Sequence, residues 1–279
     1  CADSASTTDS CKQRYREHLL SHLVCPGRHT ITSLITTTGQ QFEDWTSDYD
    51  LYSQNRVKPK ALFSQMRREV EAFLPSTSPL CVALDDTLLR KSGKTIPGAA
   101  YRKDPLGPPF NVNLVWAQRM LQLSAAVPLD HGQVRMIPIA FNDASTPRKP
   151  RSTAPVEERE RHKELMKQRN LNALAVDALK DLQQERTTQA GYTPDLHVVV
   201  DGSYTNRKVL RHLPRNTILI GRLRKDAKLN TKPDAQPAHG RKRLYGEALP
   251  TPEQIRQDEA TPWMDVQAYA SGNKHTFRV

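Results

Sequence analysis

The chain has 279 residues, of which 37% are hydrophobic and 25% are charged. This composition excludes an intrinsically disordered protein and allows one large domain or two smaller ones. Lys and Arg number 41 against 30 Asp and Glu, a formal net charge of +11, which indicates an anionic partner such as nucleic acid. No apolar run reaches the length of a transmembrane helix, so we predict no membrane partner and a cytoplasmic location. Four cysteines are too few for a small secreted disulfide scaffold.

The N-terminal quarter of the chain is predicted to be helical. Residues 1–10 are rich in Ser, Thr and Asp and are expected to be disordered. Further on, apolar side chains recur at helical spacing in RYREHLLSHLV and in LFSQMRREVEAFL, which ends at Pro75. We interpret residues 11–76 as a small helical module that either contacts DNA or packs against the rest of the chain.

A Cys/His array lies in the first of these helical segments. Cys11, His18, His22 and Cys25 follow the pattern C-x6-H-x3-H-x2-C. Two His four residues apart share one face of a helix, but the spacing is not that of a standard zinc site. We therefore favour a helix with surface His and incidental Cys over a bound zinc ion.

The sequence pattern changes to strands at about residue 80. CVALDD, NVNLVWAQRMLQL and VRMIPIAF are strand-like, and no helical segment separates them, which predicts an antiparallel meander. A long helix is expected to begin with Thr153 as its N-cap. It is followed by the strand LHVVVDG, the short helix NRKVLRHL and the strand NTILIGRLR.

This order of elements is that of the ribonuclease H-like fold. We therefore predict an α/β protein whose catalytic core, residues 77–279, is a mixed five-stranded sheet flanked by helices, preceded by the helical module. A polar, basic insertion is expected from about residue 226.

Acidic residues follow two strands that this fold places side by side. The first strand is expected to end at Asp85 and Asp86, and the fourth at Asp201, although 115 residues separate Asp86 from Asp201 in the sequence. Carboxylates brought together in this way repel unless a cation lies between them, and their oxygens suit magnesium or manganese. Two such ions can promote phosphoryl transfer. The alternative interpretation is a pair of Asx-type turns.

Alternation along the first strand separates its two acids. Asp86 shares a face with Val82 and Leu84, whereas Asp85 lies on the opposite face. Only one of the two can therefore point at a given metal ion. If it is Asp86, we expect Asp85 to bond to nearby backbone or to pair with a cation such as Lys91.

Several segments resemble the DDE transposases of bacterial insertion sequences. They are VALDDTLLRKSGK, VVVDGSYTN and ILIGRLRKDAKL, supported by LVCPGRHTITSL and VRMIPIAFNDA. The resemblance covers the chain from about residue 11 and is closest to the group whose first motif reads Asp-Asp-Thr followed by Lys-x-Gly-Lys. It implies metal-dependent cleavage and transfer of DNA strands, with Mg²⁺ or Mn²⁺ as cofactor. The implied partners are double-stranded DNA, as transposon ends and target, and a second copy of the chain in a homodimeric DNA complex.

The resemblance also implies which residues bind metal. The first family Asp, directly before the Thr, falls on Asp86, with Asp85 as the fallback, and the second falls on Asp201. The third acid should be a Glu in a Tyr-x2-Arg-x3-Glu helix, which the sequence does not contain. We expect that Glu beyond Val279 and therefore expect these 279 residues alone to be catalytically incomplete.

Basic residues near both acids are candidate contacts to DNA phosphates. Lys91 and Lys94 follow the first acidic pair, and Arg222, Arg224 and Lys225 follow the fifth strand. The alternative is a solvated charged surface, which accounts for part of such a cluster.

Two functions other than that of a transposase are also considered from the sequence. One is a DNA-binding remnant of a transposase without catalytic activity, which the missing Glu would explain. The other is a phosphatase of the haloacid dehalogenase type, suggested by ALDDTLL. In that alignment the nucleophilic Asp would fall on Ala83 or Leu84, neither of which can attack a phosphate.

Overall fold

Four helices open the part of the chain that the computed structural model describes, which comprises residues 8–54, 56–75, 78–108, 110–147, 149–237, 239–270 and 272–279. They are α1 (Asp9–Val24), α2 (Ile31–Thr37), α3 (Thr46–Ser53) and α4 (Pro59–Phe73). Helix α1 begins inside the segment expected to be disordered, because the Thr8 side chain accepts a hydrogen bond from the Cys11 amide at 3.3 Å and caps the helix. Residues 1–7, for which disorder was also expected, lie outside the described residues.

The Cys/His array does not converge on a metal site. The Cys11 side chain is buried against Tyr15 and Leu51 in a small apolar cluster. The sequence suggested that His18 lies on the surface, but it is only 2% exposed. Its ring nitrogens lie 2.8 Å from Asp48 Oδ1 and 2.9 Å from the Tyr52 hydroxyl, so they are already engaged in a buried polar contact that joins α1 to α3.

A six-stranded mixed sheet forms the centre of the molecule. Its strands are β1 (Leu80–Arg90), β2 (Ala100–Lys103), β3 (Leu114–Pro128), β4 (Val134–Asp143), β5 (Leu196–Val200) and β6 (Thr217–Gly221). Strand β3 pairs antiparallel with β1, β2 and β4, while β5 is parallel to β1 and β6 is parallel to β5. The predicted meander is confirmed as β1, β3 and β4. The short strand β2 was not predicted, so the sheet has six strands instead of five.

Two helices stand where one was predicted before β5. Helix α5 (Val156–Gln168) starts after Pro155, not with Thr153 as its N-cap, and α6 (Leu171–Ala190) follows it. The break occurs at Asn170, whose backbone is extended and whose side chain accepts a hydrogen bond from the Ala173 amide at 3.0 Å. This N-cap starts a new helix and turns the chain.

The main core covers one face of the sheet. Leu84 of β1 and Val198 of β5 pack with Leu179 of α6, and all three are almost fully buried. Val70 of α4 belongs to the same core, so the last helix of the predicted N-terminal module packs on the sheet. This packing fixes the positions of β1 and β5, whose ends carry the acidic residues.

The region after β6 contains short elements outside the central sheet. They are β7 (Leu229–Asn230), β8 (Ala248–Leu249), helix α8 (Pro252–Gln257), β9 (Asp265–Ala270) and β10 (Asn273–Arg278), with one further short helix, α7 (Arg207–Leu210), lying between β5 and β6. Strands β7 and β8 pair with each other, as do β9 and β10. Within the described ranges, no helix is long and apolar enough to cross a membrane.

Candidate active site

Asp86 projects from the middle of β1, not from its tip. The sequence predicted that the strand ends at Asp85 and Asp86, but β1 continues to Arg90 because its pairing with β3 extends to Arg90 opposite Ala117. The predicted alternation is confirmed, since Leu84 is buried, Asp85 is exposed and Asp86 is again partly covered. The Asp86 side chain is 21% exposed and lies on the face that carries the main core.

Asp201 lies where the shorter neighbouring strand ends. Strand β5 stops at Val200, which is level with Leu84 of β1, so Asp201 follows directly beside the acidic pair of β1. The Asp201 carboxylate accepts hydrogen bonds from the Ser203 amide at 2.8 Å and from the Ser203 hydroxyl at 3.0 Å. The Asx-type turn that the sequence offered as an alternative interpretation is therefore present at Asp201, where its hydrogen bonds hold the carboxylate in place.

The Tyr204 side chain connects the two acidic segments. Its phenol is 1% exposed and donates a hydrogen bond of 2.9 Å to Asp86 Oδ1. Burial strongly raises the pKa of the Tyr204 phenol, and the negative charges of Asp86, Asp85 and Asp201 raise it further. Three carboxylates therefore lie within electrostatic range of one protonated hydroxyl group.

Arg119 holds the other oxygen of the Asp86 carboxylate. Its Nε lies 3.2 Å from Asp86 Oδ2, and its side chain is 29% exposed. Neither Arg119 nor Tyr204 was among the site residues predicted from the sequence. Each had a weak signal, because Arg119 interrupts the strand-like run NVNLVWAQRMLQL and Tyr204 lies within the motif VVVDGSYTN.

A glycine brings the end of β6 close to the loop that carries Asp201. A Cβ atom on Gly221 would overlap the Thr205 hydroxyl and come within 2.8 Å of Val200 Cγ2, so only Gly fits there. The next residue, Arg222, is exposed, and its carbonyl oxygen lies 3.4 Å from where a Cβ of Gly202 would be. Of the predicted phosphate contacts, Arg222 is thus beside the Asp201 loop.

The other predicted phosphate contacts are placed differently. Arg224 is exposed and bonds to Asp226 through two contacts of 3.0 Å, and Lys225 is exposed next to it. Lys91 follows the end of β1. At a rise of about 3.3 Å per residue, it lies about 16 Å from Asp86 along the strand direction. Lys94 is exposed in the connection that follows.

Asp85 bonds to backbone, one of the two arrangements expected for it. The Asp86 amide donates a hydrogen bond of 2.8 Å to Asp85 Oδ1. The alternative partner, Lys91, follows the end of this extended strand, beyond the reach of the Asp85 side chain.

The donor chemistry at this site fits a hard divalent cation. Asp86 and Asp201 offer carboxylate oxygens, which are the protein ligands that Mg²⁺ and Mn²⁺ prefer, and Mg²⁺ usually keeps several waters beside one or two carboxylates. Across the described part of the chain, no group of three or more His, Cys, Asp or Glu side chains is arranged to hold a metal ion. Among the described residues, Asp86 and Asp201 are therefore candidate ligands for a metal ion at this site, with Asp85 as the alternative first acid.

The model of one known protein family matches nearly the whole chain. The model of the DDE superfamily endonuclease family matches residues 9–278. No curated protein and no solved structure matches the chain. The family model covers nearly the whole sequence, including both acidic segments, the helices before the sheet and the short strands after it. The chain therefore belongs to the DDE superfamily of endonucleases.

Proposed function

We propose that the protein is a transposase that cleaves and transfers DNA strands at the ends of an insertion sequence, with Mg²⁺ or Mn²⁺ as cofactor. The observation that carries the proposal is the hydrogen bond to Asp86 from Tyr204, which lies three residues after Asp201, at the point where β5 ends beside β1. Family membership supports an endonuclease acting on DNA. The substrates are double-stranded transposon ends and target DNA, which a homodimer would bind.

The strand order supports a ribonuclease H-like core for this reaction. Without β2, the order is β4-β3-β1-β5-β6, in which a three-stranded antiparallel meander is followed by two strands parallel to β1. This is the arrangement expected from the sequence, with the first and fourth core strands adjacent. It explains how residues so far apart in sequence come to share one site.

The residues of the site have distinct roles in this proposal. Asp86 and Asp201 would hold the metal, with Asp85 as the fallback for the first acid, and a bound metal would supply activation of the attacking oxygen and stabilisation of the leaving one. Tyr204 orients the Asp86 carboxylate through its hydrogen bond, and it stays protonated because its pKa is raised. Arg222, beside the Asp201 loop, is placed to contact a DNA phosphate.

The third acid of the family is not found among the residues that surround this site. Of the Glu residues after β6, Glu253 lies on α8, where it forms an ion pair of 2.7 Å with Arg256. Neither it nor Glu247 or Glu259 stands in a Tyr-x2-Arg-x3-Glu arrangement. We propose that strand cleavage requires a third acid in addition to Asp86 and Asp201, and that the alternative of a non-catalytic DNA-binding remnant applies if the protein has none.

Metal binding by these 279 residues tests the proposed site directly. We expect the chain to bind Mn²⁺, measured by electron paramagnetic resonance, and Asp201→Asn to weaken that binding at least about 10-fold, because an amide loses the charge that attracts the cation. Asp177→Asn, which removes the same charge from an exposed position on α6, is the control and should have little effect. Equal Mn²⁺ affinity in the Asp201→Asn variant and the unaltered chain would contradict the proposed metal site.

DNA affinity should depend steeply on salt. Because phosphate contacts release counterions, the logarithm of the affinity for duplex DNA should fall linearly with the logarithm of salt concentration, measured by fluorescence anisotropy. Arg222→Glu should weaken binding to unrelated sequences alike and lower the magnitude of the slope by about 1. Lys180→Glu, at an exposed position on α6, makes the same change of charge away from the site. An affinity that is flat with salt, or an equal loss in both variants, would argue against a phosphate contact at Arg222.

A further inference from the structure

Two arginines share the sheet face on which Asp86 lies. Asp86 is opposite Leu121 of β3, and Arg119 precedes Leu121 by two residues, so its side chain points to the same face. On β2, Arg102 is opposite Val115, which shares that face with Arg119. The two guanidinium groups therefore line the site on the side away from Asp201.

Each of these arginines has an N–H donor that makes no hydrogen bond. The Nε atoms of Arg102 and Arg119 are buried, and neither has a hydrogen-bond partner. The Arg119 Nε lies 3.2 Å from Asp86 Oδ2 as an ion pair, and Arg102 makes a long hydrogen bond of 3.4 Å to the Thr146 hydroxyl. A guanidinium group carries five N–H donors in a planar fork, which suits the oxygens of a phosphate.

Arg102 and Arg119 lie within electrostatic range of each other. Burial lowers the pKa of Arg102, and so does the neighbouring charge of Arg119, while Asp143 and Asp86 oppose the shift. Asp143 is already bonded to Arg169 at 2.9 Å. On the side away from Asp201, the Asp86 carboxylate therefore has two guanidinium groups beside it, those of Arg102 and Arg119.

We propose that Arg119 binds a phosphate of the DNA substrate, and that in the absence of DNA its guanidinium group takes the position of a cation beside Asp86 Oδ2. The inference rests on the proposed function, because it assumes that Asp86 is a metal ligand. Arg102, on the same face, supplies the second cation of this phosphate-binding site. Neither arginine was among the basic residues predicted from the sequence to contact DNA.

This arrangement couples DNA binding to metal binding. A guanidinium group 3.2 Å from Asp86 Oδ2 repels a divalent cation at the same carboxylate. DNA that draws Arg119 onto a phosphate removes this repulsion, so DNA should raise the affinity for metal, and metal should raise the affinity for DNA by the same factor. The enzyme would then bind its metal tightly only when its substrate is present.

The test compares Mn²⁺ binding by the 279-residue chain and its variants, measured by electron paramagnetic resonance with and without a duplex of arbitrary sequence at low salt. Without DNA, Arg119→Gln should tighten Mn²⁺ binding about 5-fold or more, the lower range of coupling between sites. Lys103→Gln removes the same charge from the opposite face of β2 and should change little. In the unaltered chain, DNA should tighten Mn²⁺ binding, with the Asp86→Asn protein serving to subtract the Mn²⁺ that DNA itself binds.

An Arg119→Gln protein that binds Mn²⁺ as the unaltered chain does, or more weakly, would overturn the inference, because Arg119 would then merely support Asp86. The Mn²⁺ affinity of the unaltered chain with and without DNA can be compared without any substitution at Arg119, so this measurement tests the inference even if the variant does not fold. If DNA does not tighten Mn²⁺ binding by the unaltered chain, the inference is also overturned. The proposed metal site is judged separately. If Asp201→Asn weakens Mn²⁺ binding while Arg119→Gln has no effect, only the role of Arg119 is wrong; if neither variant nor DNA changes Mn²⁺ binding, both proposals fail.

Discussion

Asp86→Asn is expected to abolish metal-dependent DNA strand cleavage in a form of the protein that carries all three acids of the family. The amide keeps the shape of the side chain but loses the charge that holds the metal, so we expect a fall in rate of at least about 100-fold, the upper range for losing a partner of a metal ligand. Tyr204 can still donate its hydrogen bond to the amide oxygen, so the fold should be retained. Cleavage of a supercoiled plasmid in Mg²⁺ measures the rate, and DNA binding measured without divalent cations should not be weakened.

Asp85→Asn provides the matched control for this experiment. It makes the same chemical change one residue away, on the opposite face of β1, where Asp85 accepts a hydrogen bond from the Asp86 amide. Measurable cleavage should remain. An active Asp86→Asn enzyme beside an inactive Asp85→Asn enzyme would transfer the role of first ligand to Asp85, and equal activity in both would end the nuclease hypothesis at this site.

Glu71→Ala is expected to lower the free energy of unfolding by about 3 kcal/mol or more. Glu71 on α4 accepts hydrogen bonds from Arg67, which is 3% exposed, and from Arg186 on α6 at 2.6 Å, which is 6% exposed. Removing the carboxylate that the two buried guanidinium groups share leaves Arg67 with only a longer ion pair of 3.9 Å to Glu185 and takes the same partner from Arg186. Such buried charges cannot be resolvated in place. Urea denaturation followed by circular dichroism measures the change.

Glu69→Ala is the control for the stability experiment. Glu69 lies on the same helix but is exposed, and it accepts a hydrogen bond from Gln65. Its replacement should change the free energy of unfolding by less than about 0.5 kcal/mol. If Glu71→Ala were as stable as Glu69→Ala, the ion pairs that join α4 to α6 would contribute little to the packing of α4 on the sheet.

Much of the fold could be predicted because the core strands have clear patterns. The Val-rich run LHVVV and the alternation around Leu84 identified β5 and β1. Strand β2 was missed because Ala-Tyr-Arg-Lys has no apolar pattern of its own and is a strand only through pairing with β3. The extension of β1 beyond Asp86 was missed for the same reason, since backbone pairing with β3 outweighs the break suggested by two adjacent charges.

The candidate site was partly predictable from the sequence. Asp86 and Asp201 stand out because each follows an apolar strand within a recognisable motif. Tyr204 and Arg119 could not be assigned, because their contacts with Asp86 depend on side-chain directions that strand order alone does not give. Lys91 and Lys94 looked close to Asp86 in the sequence, but an extended strand carries the chain away at about 3.3 Å per residue.

The long separation between Asp86 and its hydrogen-bond partner has a consequence for protein synthesis. Tyr204 lies 118 residues after Asp86, so at about 5–20 residues per second the ribosome adds it about 6–24 s later. For most of that interval the nascent chain contains Arg119, 33 residues after Asp86, but neither Tyr204 nor Asp201. The ribosome therefore delivers the ion-pair partner of Asp86 first, and the site is complete only once β5 and the loop after it have been translated.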